Sequence, residues 1–165
     1  MRIGLISDTH IPTAAQAIPP QVAETFQQVD LILHAGDIYT LSVLDELEKI
    51  APVLAALGDD DSLPMLKDER IKQEHILNLE GHTVWLLHER LSCSMVASQQ
   101  KQNGETDVPD IVVFGHEHTT CLQRVDNTLY INSGSPTFLH YKRGPGTVGI
   151  LELNSVEPQA SIISL

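Results

Sequence analysis

Aspartate and histidine residues recur in this 165-residue chain at positions where a short apolar run has just ended. Five such runs each lead into an aspartate or a histidine, and two further histidines stand two residues beyond; the runs cover residues 3–7, 31–36, 53–58, 84–87 and 111–115. The candidate ligands collected in this way are Asp8, His10, Asp37, Asp59, His88, His116 and His118. Carboxylate and imidazole groups suit divalent ions such as Mn, Fe, Zn, Ni or Co, and ligand type alone does not choose among these metals.

The number of these side chains indicates more than one bound ion. Seven ligands are too many for a single tetrahedral ion, but they suit a pair of ions that share a bridging carboxylate. Clustered carboxylates repel one another and a partly buried charge needs a partner, so cations are required to hold such a cluster together. Two ions about 3.5–4 Å apart are the usual arrangement for in-line displacement at phosphorus. The sequence therefore predicts a dinuclear metal site with phosphoester chemistry.

The apolar runs are typical of buried strands, and open α/β sheets bind ligands beyond the carboxyl ends of their strands. Strands are predicted over residues 2–7, 30–35, 53–57, 74–79, 82–88, 110–114, 120–125, 128–132, 147–153 and 160–164. Helices are predicted from Pro19 to about Gln28, from Leu41 to Ile50 with Thr40 as the N-cap, and from about Ser92 to Gln102. Residues 74–88 are predicted to form a hairpin around Glu80-Gly81, and the last four strands to be antiparallel. This pattern predicts one α/β domain over residues 1–165.

The composition restricts the partners that the chain can have. Its net charge of −12 disfavours long nucleic acid, because contacts of Lys and Arg with phosphate supply most non-specific affinity. No apolar run approaches the roughly 20 residues of a membrane-spanning helix, and the first residues lack a basic segment. We therefore expect a cytoplasmic protein with no membrane partner and a small-molecule substrate, and a homo-oligomer is compatible with the sequence.

Short motifs containing these residues follow one another along nearly the whole chain. They are Asp8-Thr9-His10, Gly36-Asp37, Gly58-Asp59-Asp60-Asp61, His88, Gly115-His116-Glu117-His118 and Asn132-Ser133-Gly134-Ser135. In order and spacing they resemble the calcineurin-like metallophosphoesterase superfamily, and within it the compact prokaryotic phosphodiesterases. The resemblance implies an α/β fold of two packed mixed β-sheets flanked by helices. It also implies that Asp37 bridges two metals, the first held with Asp8, His10 and His118, the second with Asp59, His88 and His116.

The resemblance implies hydrolysis of small or activated phosphodiesters, in preference to phosphomonoesters, by attack of a metal-bridging hydroxide. Two divalent ions are expected, with manganese first and Fe, Zn, Ni or Co as alternatives. Asp37 and His116 are the expected catalytic residues at the metals, and Asp60 stands where many relatives carry a histidine that serves the leaving group. A carboxylic acid needs a raised pKa for that task at neutral pH, so leaving groups that are already stable, such as aryl groups, are favoured.

Three positions depart from the family pattern. Asp59 replaces an asparagine, Glu89 follows His88 where the family has glycine, and Ser133 replaces a proline. Three carboxylates and a hydroxide cancel the charge of two divalent ions, whereas an asparagine at residue 59 leaves one positive charge to attract phosphate. A retromer subunit that uses the same fold as a scaffold also has an acidic residue at this position, and the chain resembles that subunit in this respect. A protein-interaction scaffold with a weak or inactive metal site is therefore the alternative to an enzyme.

Other polar residues near the motifs are expected to have supporting roles. Asp61 is predicted to orient a metal ligand, and His34, which lies inside a strand, to be a hydrogen-bonded structural residue. His75, His82 and His140 lie in hairpin or loop surroundings and are expected to face solvent.

Overall fold

The computed structural model describes residues 1–90, 108–137, 146–154 and 157–165, and within them the strands form two sheets. The strands are β1 (Arg2–Ile6), β2 (Leu31–His34), β3 (Val53–Ala56), β4 (Ile71–Lys72), β5 (His75–Leu79), β6 (His82–Leu86), β7 (Ile111–Phe114), β8 (Cys121–Val125), β9 (Thr128–Asn132), β10 (Thr147–Glu152) and β11 (Gln159–Ser164). The helices are α1 (Pro20–Thr25), α2 (Leu41–Glu48) and a 3-10 helix over Leu63–Lys67.

The first sheet has the strand order β11-β10-β1-β2-β3-β4. Strands β1 to β4 run parallel because a helical connection returns the chain to the same end of the sheet each time. Strand β10 pairs antiparallel with β1, and β11 pairs antiparallel with β10. The carboxyl ends of β1, β2 and β3 therefore meet at one edge, directly before Asp8, Asp37 and Asp59.

The second sheet has the order β5-β6-β7-β9-β8 and is also mixed. Strands β5 and β6 form the predicted hairpin, whose turn residues Glu80 and Gly81 have φ of 52° and 84°, as a type I′ turn requires. Strands β6, β7 and β9 run parallel, and β8 pairs antiparallel with β9. The parallel pair β6 and β7 consequently ends at one edge, where His88 and His116 follow.

Two apolar layers hold the sheets and helices together. Between the sheets, Ile3 and Leu33 of the first sheet pack in one buried cluster with Val84 and Ile111 of the second. On the opposite face of the first sheet, a second cluster includes Phe26, which follows α1, and residues Val43, Leu44 and Leu47 of α2. This packing removes large apolar areas from water and fixes the relative position of the two strand edges that carry the candidate ligands.

The predicted strands are present, with ends that shift by one or two residues, but several details of the prediction were wrong. The short strand β4 and the 3-10 helix were not predicted, and α1 is shorter than residues 19–28. Strand β9 is not purely antiparallel, because it also pairs parallel with β7. Thr40 occupies the N-cap of α2, yet its hydroxyl donates to the carbonyl of Ile11 at 3.3 Å instead of capping the helix. The helix predicted over residues 92–102 lies outside the described residues.

Outside the predicted ligand set, the structure agrees with the prediction for His34 and disagrees with that for His75. His34 is fully buried, with its ring nitrogens 3.1 Å from the Thr9 hydroxyl and 3.2 Å from the backbone nitrogen of Gly36, as predicted for a structural residue. The prediction that His75 faces solvent was wrong. Its side chain is buried, with Nε2 3.0 Å from the carbonyl oxygen of Ala55, and it thereby links β5 to β3.

Across the part of the chain that the structure describes, none of the helices has the length and apolar character needed to cross a bilayer.

Candidate metal centre

The backbone at the predicted ligands has an unusual conformation. Five of them have a positive φ: Asp8 (54°), His10 (42°), Asp37 (57°), His116 (70°) and His118 (51°). This left-handed region is uncommon for residues other than glycine, and it persists only where surrounding contacts fix the backbone. Each of these residues lies just beyond a strand, where the chain turns sharply out of the sheet. The turn directs side chains from neighbouring strand ends towards a common volume.

The loop that carries Asp8 is fixed by hydrogen bonds from distant parts of the chain. The Ser135 hydroxyl donates to the Asp8 carbonyl at 2.7 Å, and the Thr137 hydroxyl donates to the Thr9 carbonyl at 2.6 Å. The backbone nitrogen of Asp8 donates to the Gly36 carbonyl at 2.9 Å. Ser135 belongs to the turn after β9 that the motif analysis quoted without a role, and Thr137 was missed entirely. Their hydroxyls offset the strain of the left-handed loop.

One group of four side chains brings its ligand atoms within 4.8 Å of one another: Asp8, His10, Asp37 and His118. We call this group the first cluster. His10 Nε2 lies 3.1 Å from His118 Nε2 and 3.4 Å from Asp37 Oδ2, and His118 Nε2 lies 3.6 Å from Asp8 Oδ1. Three members of the first cluster are buried, since Asp8 is 0%, His10 2% and Asp37 3% exposed. Converging imidazole nitrogens and carboxylates in such a place match the ligand set of a divalent ion.

The remaining three predicted ligands, Asp59, His88 and His116, form a second cluster by the same distance criterion. Asp59 Oδ1 lies 2.7 Å from His88 Nε2 and 3.2 Å from His116 Nδ1. Asp37 Oδ2 lies 3.5 Å from His88 Nε2, close to its 3.4 Å distance from His10 of the first cluster. All seven predicted residues are therefore brought together, with Asp37 between the two clusters.

The electrostatics of the first cluster agree with a place for cations. Burial raises the pKa of Asp8 to about 7, although the hydrogen bond from the Ser7 hydroxyl opposes the rise. Burial likewise raises the pKa of Asp37. Burial, followed by the neighbouring imidazoles of His10 and His116, lowers the pKa of His118 to about 4. Neutral imidazole leaves a nitrogen lone pair for coordination, and buried carboxylates gain from a nearby cation, so divalent ions fit these residues.

Residues behind the ligands set their orientation. His88 Nδ1 lies 2.7 Å from the Ala35 carbonyl, to which it can donate, so that Nε2 is directed towards Asp37 and Asp59. Asp61 Oδ1 accepts hydrogen bonds from the backbone nitrogens of Ile38 and Tyr39, both at 2.8 Å.

Asp61 Oδ2 accepts a third hydrogen bond, from the backbone nitrogen of Gly58 at 2.9 Å. One buried carboxylate thus ties the loop after Asp37 to the residue before Asp59. This agrees with the prediction that Asp61 orients a ligand.

Replacing Asp61 by asparagine should therefore weaken both the fold and the metal centre. An amide group turned towards three N–H donors leaves at least one of them unsatisfied, which costs about 1–3 kcal/mol of unfolding free energy. We also expect a roughly 10–100-fold loss in metal affinity, as is typical when a residue that orients ligands is changed. Denaturant unfolding and titration with Mn²⁺ measure the two effects. The matched control is Asp126→Asn in the turn between β8 and β9; equal affinities of the two variants would contradict the prediction.

Tyr39 and Asp60 meet at the rim of the first cluster. The Tyr39 hydroxyl donates to Asp60 Oδ2 at 3.0 Å, and the same oxygen lies 3.9 Å from His10 Nδ1. The backbone nitrogen of Asp60 donates to Asp37 Oδ1 at 3.1 Å, which leaves Oδ2 of Asp37 towards the histidines. Burial, followed by the hydrogen bond to Asp60, raises the pKa of Tyr39 to about 12. The sequence analysis predicted no role for Tyr39. Only its place two residues after Gly36-Asp37 could have suggested this contact.

Comparison with known proteins identifies the class to which this fold and site belong. Residues 1–156 match the family model of the calcineurin-like phosphoesterase superfamily domain. The chain belongs to this superfamily, and the resemblance drawn from its motifs is confirmed.

Individual relatives support this family assignment. The chain is 35% identical to a probable metallophosphoesterase of Methanothermobacter thermautotrophicus over 137 residues, which cover 83% of this chain and 78% of the relative. It is 28% identical to a phosphodiesterase of Methanocaldococcus jannaschii over 166 residues, covering 95% and 96% of the two chains. The crystal structure of Vps29 from Entamoeba histolytica complexed with Zn²⁺ superposes with a TM-score of 0.72 at 20% identity, covering 99% of each chain. The predicted fold of two packed mixed sheets is thereby confirmed.

Proposed function

We propose that this protein is a metal-dependent phosphodiesterase that hydrolyses small or activated phosphodiesters at a pair of divalent ions. The observation that carries the proposal is the position of Asp37, whose Oδ2 lies 3.4 Å from His10 of the first cluster and 3.5 Å from His88 of the second. Such a shared carboxylate is what two adjacent ions require. The similarity to a relative named as a phosphodiesterase supports a diester as the substrate.

The residues of the two clusters would have different roles. When bound, the two ions would activate a water for attack on phosphorus and polarise the phosphoryl oxygens. Asp8, His10 and His118 would hold one ion, with Asp37 shared between the two. The burial of Asp8, His10 and Asp37 limits the access of bulk water to these ligands.

In the second cluster, Asp59, His88 and His116 would hold the other ion. The side chain of His116 is 43% exposed, so it faces the side from which a substrate approaches. Asp60 is the candidate proton donor to the leaving group, but the hydrogen bond that it accepts from the Tyr39 hydroxyl favours the ionised carboxylate, so esters whose leaving group is already stable should be the better substrates. Manganese is the metal that we propose to test first.

Replacing Asp59 by asparagine should raise phosphodiesterase activity a few-fold at saturating metal. The pKa of Asp59 is lowered because burial, which raises it, is outweighed by hydrogen bonds from His88 and His116, so the side chain brings a negative charge to the second cluster. The amide removes that charge and leaves the centre more attractive to a phosphodiester anion. Values of kcat for bis(4-nitrophenyl) phosphate with Mn²⁺, measured beside the metal content, test this. A clear fall in kcat with both metals retained would contradict it.

The proposed function itself is tested with the purified protein. Hydrolysis of bis(4-nitrophenyl) phosphate is measured after metal removal and again after addition of Mn²⁺, and metal content is determined in parallel. A phosphodiesterase should gain activity as metal is added and should prefer this diester to 4-nitrophenyl phosphate. A scaffold with the same fold would bind metal without hydrolysing either ester, and that result would refute the proposal.

A further inference from the structure

A cavity of about 180 Å³ adjoins the second cluster and has no role in the preceding account. Asp59 and His88 line it on the side of the metal centre, and Glu74 and Glu89 line it elsewhere. A water needs only about 10–15 Å³ of such a volume, so this cavity accommodates a small organic group. Because it shares two residues with the proposed centre, a group bound there can belong to the same molecule as the phosphate that is hydrolysed.

Two of the three departures from the family pattern meet in this cavity. Asp59 stands where the family has asparagine, and Glu89 stands where it has glycine. Asp59 is a proposed ligand of the second ion, so Glu74 and Glu89 are the two carboxylates that remain to attract a cation in this cavity. Among the described residues that line the cavity, none is lysine or arginine. The next residue, Arg90, is held with its guanidinium 4.5 Å from the ring centroid of Tyr130, on the outer face of the second sheet. The cavity therefore favours positive charge and disfavours anions.

The remaining lining indicates which kind of cation fits. Leu57 and Leu87 also border the cavity, but both side chains are buried in the apolar clusters, at 7% and 2% exposed, so they contribute little of its surface. Neither Glu74 nor Glu89 belongs to the two groups of converging ligand atoms found among the described residues. A metal ion finds no converging set of ligand atoms among the described residues in this part of the cavity, whereas an alkylammonium group needs only carboxylates close to its charge.

We propose that this cavity, which we call the acidic side pocket, binds an alkylammonium arm of the phosphodiester substrate. The inference rests on the proposed function, and it narrows the substrate class to diesters in which one alcohol carries a positive charge. The phosphate lies at the two clusters, and the cationic arm extends past Asp59 and His88 towards Glu74 and Glu89. An anionic arm is repelled by the same carboxylates, so diesters of acidic alcohols should be poor substrates.

A matched pair of substrates tests the proposal directly. The first is the 4-nitrophenyl diester of choline phosphate, and the second is its 3,3-dimethylbutyl isostere, in which carbon replaces the quaternary nitrogen. Both release 4-nitrophenolate, so a difference in kcat/KM reports the arm alone. With Mn²⁺ we expect the cationic diester to be preferred about tenfold, and the preference to shrink as ionic strength rises. Equal values of kcat/KM, or a preference for the neutral isostere, would overturn the proposal.

Single substitutions show whether the preference for the cationic diester arises in the acidic side pocket. Glu74→Gln and Glu89→Gln, made separately, should each reduce the preference for the cationic diester several-fold. Glu46→Gln on α2 changes the net charge equally at a position outside the pocket and should leave the preference unchanged. If all three variants reduce the preference alike, the effect comes from the overall charge and the proposed pocket is wrong. If neither pocket variant changes the preference, the cation binds elsewhere.

A binding measurement separates this inference from the proposed function. Calorimetric titration of the Mn²⁺-loaded protein with choline and with 3,3-dimethylbutanol compares the cation and its neutral isostere without any hydrolysis. Preferential binding of choline that is weakened by Glu89→Gln supports the acidic side pocket even if no diester is hydrolysed. Hydrolysis of both diesters without preference, and without choline binding, would leave the proposed function standing and remove the inference.

Discussion

Replacing Asp37 by asparagine is expected to abolish metal-dependent hydrolysis of phosphodiesters. Oδ2 of Asp37 lies 3.4 Å from His10 Nε2 and 3.5 Å from His88 Nε2, so this residue serves both clusters at once. An amide removes the negative charge and offers a single acceptor oxygen in place of two. Loss of a residue that only orients a ligand costs roughly 10–100-fold, and we expect the loss here to exceed that range.

The measurement combines kcat for bis(4-nitrophenyl) phosphate with the metal content after gel filtration. The variant should hold fewer than two ions, and its thermal unfolding should show whether the fold is retained. Asp126→Asn, in the turn between β8 and β9, is the matched control and should keep both metals and full activity. An Asp37→Asn protein that retains two ions and its activity would show that the two clusters do not share this carboxylate.

Replacing Gly58 by alanine is expected to damage both the fold and the metal centre, although it adds only a methyl group. A Cβ at this position would collide with Oδ1 and the backbone nitrogen of Asp37, and it would lie 2.9 Å from the Asp37 Cα. The backbone of Gly58 cannot move away freely, because its nitrogen donates to the buried carboxylate of Asp61. Overpacking of this kind costs about 1–3 kcal/mol of unfolding free energy, and it displaces the side chain that both clusters share.

Denaturant unfolding and Mn²⁺ titration of Gly58→Ala test both consequences. Gly81→Ala is the informative control, because a Cβ there has no neighbour within 4 Å and only the positive φ of 84° opposes it. That variant should lose some stability and keep its metal affinity. If Gly58→Ala binds metal as tightly as the wild type, the close approach of Gly58 to Asp37 is not needed for the site.

The location of the site could be predicted from the sequence because its ligands directly follow apolar runs. Strands of parallel sheets end at a shared edge, so Asp8, Asp37 and Asp59 had to lie near one another once the runs were assigned as strands. The same reasoning predicted that His88 and His116 follow strand ends, whereas the division of the strands into two sheets came from the family resemblance. The local hydrophobic pattern was sufficient here because every ligand lies within a few residues of a strand end.

Other features depend on contacts between distant residues and carry no local signal. His75 sits in a hairpin of alternating polarity, and only the pairing of the two sheets buries it against the carbonyl of Ala55. Strand β4 has two residues, too few for a recognisable period. The parallel pairing of β9 with β7 follows from the order of strands in the sheet, which the pattern of any single strand does not encode. The contact of Tyr39 with Asp60 arises from a turn whose left-handed residues were not predicted.

The left-handed backbone at the ligands bears on how this protein could change over evolutionary time. Glycine is the residue best suited to a positive φ, so a mutation to glycine at Asp8, His10, Asp37, His116 or His118 would relieve conformational cost and delete a coordinating side chain in a single event. Selection for stability alone thus favours loss of chemistry at these five positions. The presence of aspartate and histidine at all five positions, where glycine would fit the backbone better, is therefore explained by the side chains that they supply and not by the fold.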